Sequence, residues 1–171
     1  VRYWVHNGML LVGGEKMSKS LGNLVTVEEF LSQHNGDVLR MLILNSSYRN
    51  PLTYTDEVVE QAENALDRLK TGLRPASPGA EPAEEIEAAI KGQGAAAKAG
   101  FLQAMDDDFN TPGALAHLFE LVRSINQARD AGASPEALGP AQEVLGELAG
   151  VLGLRLEESD QRQKEAGPFI Q

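Results

Sequence analysis

From Thr55 onward, apolar residues return every three or four positions: Val58, Val59, Ala62, Ala65, Leu66, Leu69 and Leu73, with acids on the other face. That period is the stripe of a helix with one buried side; a half-buried strand would alternate instead. The pattern restarts after Thr111-Pro112, through Leu115, Leu118, Phe119, Val122 and Ile125, and again after Ser134-Pro135, through Leu138, Val144, Leu145, Leu148 and Leu152. A hydroxyl residue followed by Pro is a helix start, which makes Thr111 and Ser134 the expected N-caps. Gly153 is placed to end the last helix. Between these stretches, residues 83–105 are Ala-rich and helical in tendency, weakened by Gly92, Gly94 and Gly100. Residues 75–82 read as an exposed linker, and residues 157–171 lack a stripe and are expected to fray. Helices with single apolar faces must bury them on one another, so residues 51–156 predict an antiparallel bundle of about four helices.

Residues 1–50 follow another pattern. Met9 to Val12 is a short apolar run ended by Gly13-Gly14, a strand and a reversal. Thr26-Val27-Glu28-Glu29 has the form of a capping box, with Thr26 as N-cap and Glu29 reaching back. That helix should stop near Asn35-Gly36. Asp37 can cap a second helix, whose Val38, Leu39, Met41, Leu42, Ile43 and Leu44 nearly surround it and predict burial. Asn50-Pro51 breaks the chain.

The core must be mostly aliphatic, since 42% of the 171 residues are hydrophobic but only 5% aromatic. Cysteine is absent, which excludes disulfides and thiolate metal sites together. No apolar run approaches the ~18 residues that would cross a bilayer, and no signal-peptide pattern opens the chain. A cytoplasmic setting is the expectation. The opening Val1-Arg2-Tyr3-Trp4 suggests a chain cut from something longer. Residues 1–50 carry one net positive charge, and the rest carry the acid excess behind a net charge of −10. Broad binding to a phosphate backbone is not what such an acidic half suggests.

The chemistry concentrates in Lys16-Met17-Ser18-Lys19-Ser20, continued by Leu21-Gly22-Asn23. Two ammoniums three residues apart, among hydroxyls and inside a glycine-bracketed turn, can converge on one polyphosphate. The plain alternative is a solvated basic turn. His6, beside Trp4, has no second candidate ligand nearby, so a local hydrogen-bonding role is favoured over metal binding. Asp106, Asp107 and Asp108 are better placed to complement the N-terminal dipole of the following helix than to bind a metal. Tyr48, Arg49 and Tyr54 suit either stacking and phosphate contact or packing between domains.

The string KMSKS resembles the lysine loop of class I aminoacyl-tRNA synthetases. Tyr3-Trp4-Val5-His6-Asn7-Gly8, Ser47-Tyr48-Arg49-Asn50-Pro51-Leu52-Thr53-Tyr54, Met105-Asp106-Asp107-Asp108-Phe109-Asn110-Thr111-Pro112 and Val151-Leu152-Gly153-Leu154 narrow the resemblance. Together, over about residues 1–155, they resemble the cysteinyl-tRNA synthetase family. The resemblance implies a mainly α chain: the end of a class I, Rossmann-type catalytic domain in residues 1–50, then a DALR-like bundle along the tRNA stem. It also implies activation of cysteine with ATP to cysteinyl-adenylate and transfer to tRNA(Cys), in a monomer. Lys19 would be the main ATP-binding lysine and Lys16 its helper. Met17, Ser18 and Ser20 would complete the nucleotide-binding loop, with Met17 packing it down.

The resemblance also shows what is missing. The HIGH-type motif that holds ATP in this class is absent. The zinc expected in the family, held by cysteines, a histidine and a glutamate, has no ligand set in this chain. These gaps predict that the chain alone is inactive. Two other readings stay open: the related ligase that joins cysteine to an amino-sugar inositol in mycothiol synthesis, and a non-catalytic helical interaction module.

Overall fold

The computed structural model describes residues 2–76 and 84–156, the side chains of Lys19 and Glu84 excepted. In chain order the elements are β1 (Leu10–Val12), β2 (Glu15–Lys16), α1 (Val27–Gln33), α2 (Gly36–Leu44), β3 (Leu52–Tyr54), α3 (Asp56–Thr71), α4 (Glu84–Lys91), α5 (Gln93–Asp106), α6 (Thr111–Asp130) and α7 (Pro135–Val151). The expected linker at 75–82 lies largely outside the described residues, and the expected fraying at 157–171 entirely so.

β1 and β2 form a hairpin with Val12 opposite Glu15. The two residues between them, Gly13 and Gly14, have φ of 59° and 86°. Two left-handed residues in succession match the twist of a tight hairpin and favour glycine. β3 lies on the other edge of β1, parallel to it, with Leu10 opposite Leu52 and Val12 opposite Tyr54. This strand was not expected from sequence, and it ties residues 52–54 to the opening segment. Gly8 lies against the same stretch: its N–H donates to the Tyr48 carbonyl at 2.7 Å. A Cβ there would come within 2.0 Å of the Asn50 carbonyl oxygen, so only glycine fits.

The capping box at α1 forms as expected, with Thr26 Oγ1 accepting from the Glu29 N–H and the Glu29 carboxylate accepting from the Thr26 N–H. The Thr26 N–H, and after it the Thr26 hydroxyl, donate to the Glu29 carboxylate and hold it below its ordinary pKa. At α2 the expected cap is corrected: Asn35, not Asp37, accepts from the Val38 N–H. Asp37 instead accepts the N–H groups of Arg155 and Leu156, at 2.9 and 3.2 Å. Val38, Met41 and Leu42 are buried, but Ile43 remains about half exposed, so α2 is less enclosed than its composition suggests. The start of α6 also shifts by one residue. Asn110 is the N-cap, and the Thr111 hydroxyl donates to the Leu44 carbonyl at the end of α2.

The Ala-rich stretch divides once, at Gly92, so that α3 to α7 make five helices among the described residues rather than four. Gly94 and Gly100 do not break α5 because packing requires them. A Cβ on Gly100 would lie 2.5 Å from the His117 ring, and one on Gly94 would lie 3.3 Å from Val144. Leu66, Leu69, Phe101, Leu115, Leu118, Leu121, Ile125, Leu138, Leu145 and Leu148 are fully buried at the centre of the bundle. The C-terminus of α3 is sealed by side chains. Buried Arg129 donates to the carbonyls of Thr71 and Arg74 and to Asn126, and Gln142 donates to those of Gly72 and Arg74. A cation is well placed among the orphan carbonyls at a helix end. Among the described residues, no helix is long and apolar enough to cross a membrane.

Candidate nucleotide-binding loop and its support

The hairpin delivers the chain directly into the lysine loop. Lys16 ends β2 with an exposed side chain. The Met17 N–H donates to the Leu10 carbonyl at 3.4 Å, extending the β1–β2 ladder by one rung, and the Met17 side chain is half-buried. Lys19 to Leu21 form one tight helical turn, and Gly22 follows with φ of 67°. The Ser18 and Ser20 hydroxyls lie 3.2 Å apart.

Asn23 holds this loop shut. Its side-chain oxygen accepts the Ser18 N–H at 2.9 Å, and its side-chain nitrogen donates to the Lys16 carbonyl at 3.4 Å. One amide thus ties Asn23 back to the first and middle residues of the lysine motif, Lys16 and Ser18, a side-chain substitute for a backbone turn. The sequence marked Gly22-Asn23 as the closing turn; the bonds explain why Asn serves there, since both its donor and its acceptor are used. Lys16, Met17, Ser18, Lys19 and Ser20 are therefore presented by one compact loop. Upstream, His6 is exposed, as are Tyr3 and Trp4.

A second cluster lies where β3 begins. Asp108, in the corner between α5 and α6, accepts from the Tyr48 hydroxyl at 2.8 Å and from Arg49 Nη2 and Nε at 3.0 and 2.5 Å. Arg49 donates with its fork, the geometry in which a guanidinium best matches a carboxylate. These bonds, Arg49 first and Tyr48 second, pull the Asp108 carboxyl down to about 2 and raise both the Arg49 and Tyr48 pKa. The Phe109 ring meets the Tyr48 ring edge-on at 6.5 Å, and the Arg49 guanidinium lies 5.1 Å over the Tyr48 ring. Asp108 thus pairs with Arg49, two residues ahead of the α6 N-cap Asn110. Of the three residues read as either tRNA-contacting or packing, Tyr48 and Arg49 form this long-range cluster with Asp108, and Tyr54 meets Phe30 edge-on at 6.2 Å. Sequence reasoning singled out each residue but not their convergence.

Among the described residues, no group of three or more His, Asp or Glu side chains gathers to hold a metal ion. The chain has no cysteine. The described residues do not fit the zinc that the resemblance implies.

Residues 1–64 match the family described as the tRNA synthetases class I (C) catalytic domain, and residues 100–157 match the DALR domain. Cysteine–tRNA ligase of Dehalococcoides mccartyi (strain ATCC BAA-2266) is 45% identical over 172 residues, covering 99% of this chain and 35% of that protein. Cysteine–tRNA ligase of Thioalkalivibrio sulfidiphilus is 46% identical over 154 residues, or 90% of this chain and 31% of that protein. The chain thus spans about a third of the length of the curated relatives it matches. In fold it is similar to a LeuRS of Agrobacterium radiobacter K84, solved as a ternary complex with tRNA and LeuAMS. That likeness has a TM-score of 0.71 at 21% identity, over 88% of this chain and 20% of the other. Residues 1–64 thus resemble the end of a class I synthetase catalytic domain and residues 100–157 a DALR domain, and over nearly its whole length the chain is similar to cysteine–tRNA ligases.

Proposed function

We propose that this chain supplies the lysine loop and the helical bundle of a cysteine–tRNA ligase. The observation that supports this best is the loop itself: a hairpin-mounted, Asn23-closed KMSKS turn within a chain matched end to end by such ligases. In the proposed reaction, a carboxylate oxygen of cysteine attacks the α-phosphorus of ATP. The bond to the bridging oxygen breaks, and pyrophosphate leaves. A terminal hydroxyl of tRNA(Cys) then attacks the activated carbonyl and AMP departs. Negative charge grows on the pyrophosphate oxygens in the first step, where a preorganised cation is worth most. Lys19 is assigned that role, with Lys16 assisting and Met17, Ser18 and Ser20 shaping the loop. Residues 1–50 would serve the adenylate and residues 51–156 the tRNA stem. The intact ligase is read as a cytoplasmic monomer, and this chain alone as inactive.

The test is Lys19→Ala in the intact ligase. The single-turnover rate of adenylate formation should fall by ~10²–10³, comparable to losing one oxyanion donor. Cysteine affinity should hardly change, and Lys16→Ala should act in the same direction more weakly. If only the ATP KM rises while the single-turnover rate holds, the loop is a ground-state anchor and the assigned role is wrong. Transfer of cysteine to an amino-sugar inositol instead of tRNA would replace the proposed acceptor.

A further inference from the structure

We infer that the corner between α5 and α6 is a positioning element for the lysine loop, with Asp108 gripping Tyr48 and Arg49 so that the loop's parent strand is held against the bundle. The activity arm of this inference rests on the function proposed above; the mechanical arm does not.

The bonds form a continuous route. Asp108 holds Tyr48 and Arg49. The Tyr48 carbonyl accepts from Gly8, whose backbone packs against Asn50 and Pro51 so closely that no Cβ fits. Leu52 then donates to the Met9 carbonyl, and β3 runs beside β1 into the hairpin that bears Lys16. The same corner grips the other end of this segment, because Thr111 donates to the Leu44 carbonyl. The stretch from Leu44 to Arg49 is therefore fastened at both ends to residues 108–111.

Two observations separate this device from ordinary packing. Arg49 and Asp108 keep 60% and 51% of their side chains exposed, and exposed ion pairs add little to stability. Yet the backbone at the corner is unusual: Asp108 has φ of 54° and Phe109 of 53°. Asp tolerates the left-handed region, but a bulky Phe seldom adopts it. Such conformations persist where the surroundings over-determine them, which is common at functional sites. Here the twist aims the Asp108 carboxylate at Arg49 and the Phe109 ring at Tyr48. Asp108, Tyr48 and Arg49 are positioning residues, acting on the loop through β3 and β1.

The experiment compares Asp108→Asn and Tyr48→Phe in this chain by amide hydrogen exchange. Asn also tolerates the left-handed region, so the first variant removes the charge without unsettling the corner. Exchange at Leu10 to Val12, Met17 and Ser18 should quicken about three- to tenfold, while the amides of α6 and α7 stay as protected as before. Arg49→Lys, which keeps charge but not the fork, should loosen the loop less than Arg49→Ala. In the intact ligase, the single-turnover rate of adenylate formation should fall several-fold in Asp108→Asn while cysteine affinity holds. Unchanged loop exchange in both variants would overturn the inference, as would equal quickening in α6. If wild-type ligase forms no cysteinyl-adenylate, the proposed function fails, and the exchange results still decide the positioning role.

Discussion

Residues 2–29 and residues 56–156 are built on opposite plans. In the first stretch no described side chain is buried; Phe30 is the earliest that is. The second holds nearly all of the core, in helices capped by Thr55, Asn110 and Ser134. The candidate chemistry sits entirely in the first. A loop that must close on a ligand and reopen belongs where little free energy opposes its motion, on a support that does not move with it. The strands beneath the loop are two or three residues long and depend on β3 for company.

The largest expected effect tests the bundle half of that contrast. Leu118→Ala or Leu145→Ala removes a fully buried side chain and should cost roughly 2–5 kcal/mol, read from the thermal melt. Gly72→Ala should follow at about 1–3 kcal/mol, because the new methyl would lie 2.6 Å from Leu145 and 2.9 Å from Val122. If either left the melt unchanged, the bundle would not be the rigid support described. On the loop side, Asn23→Ala should lower global stability by about 1 kcal/mol or less and still speed exchange at Ser18, whose N–H loses its acceptor. An unchanged Ser18 amide would show that the loop closes by other means. Leu21→Ala, at an exposed site, should change stability by no more than about 0.5 kcal/mol.

The smallest expected effect concerns acid. The Asp108 carboxyl lies near 2 in the folded chain, below the ~3.9 of an unfolded aspartate. A depressed folded pKa means that the contribution is complete above the unfolded value and is lost as pH falls through the folded one. The latch should therefore hold from neutral pH to about 4 and loosen between there and 2. Carbon chemical shifts of the Asp108 carboxyl would follow it, and a midpoint near 4 would mean the latch is not formed.

The helical stripes and the capping box were legible because both are local: a period of three to four residues and a three-residue reach. The caps of α2 and α6 were displaced because Asn35 and Asn110 stand beside equally plausible candidates, and distant partners recruited Asp37 and Thr111 instead. The helical place of Gly94 and Gly100 could not be read, since it depends on what packs across them. β3 was missed for a related reason: three residues after a proline make a strand only beside β1. The lysine loop was visible as a motif, and Gly22-Asn23 as its close. The convergence of Tyr48, Arg49 and Asp108 was not, because it joins segments some sixty positions apart at a corner with two left-handed non-glycine residues.

The parallel pairing of β1 with β3 has a kinetic consequence. The hairpin of β1 and β2 closes over two residues and can form early, but its attachment must wait for α1 and α2 to bridge the two parallel strands. Contacts that close long loops form slowly, whereas helical contacts form fast. The order of assembly then follows from topology: helices first, crossover next, and the lysine loop brought into register last, onto a scaffold already built.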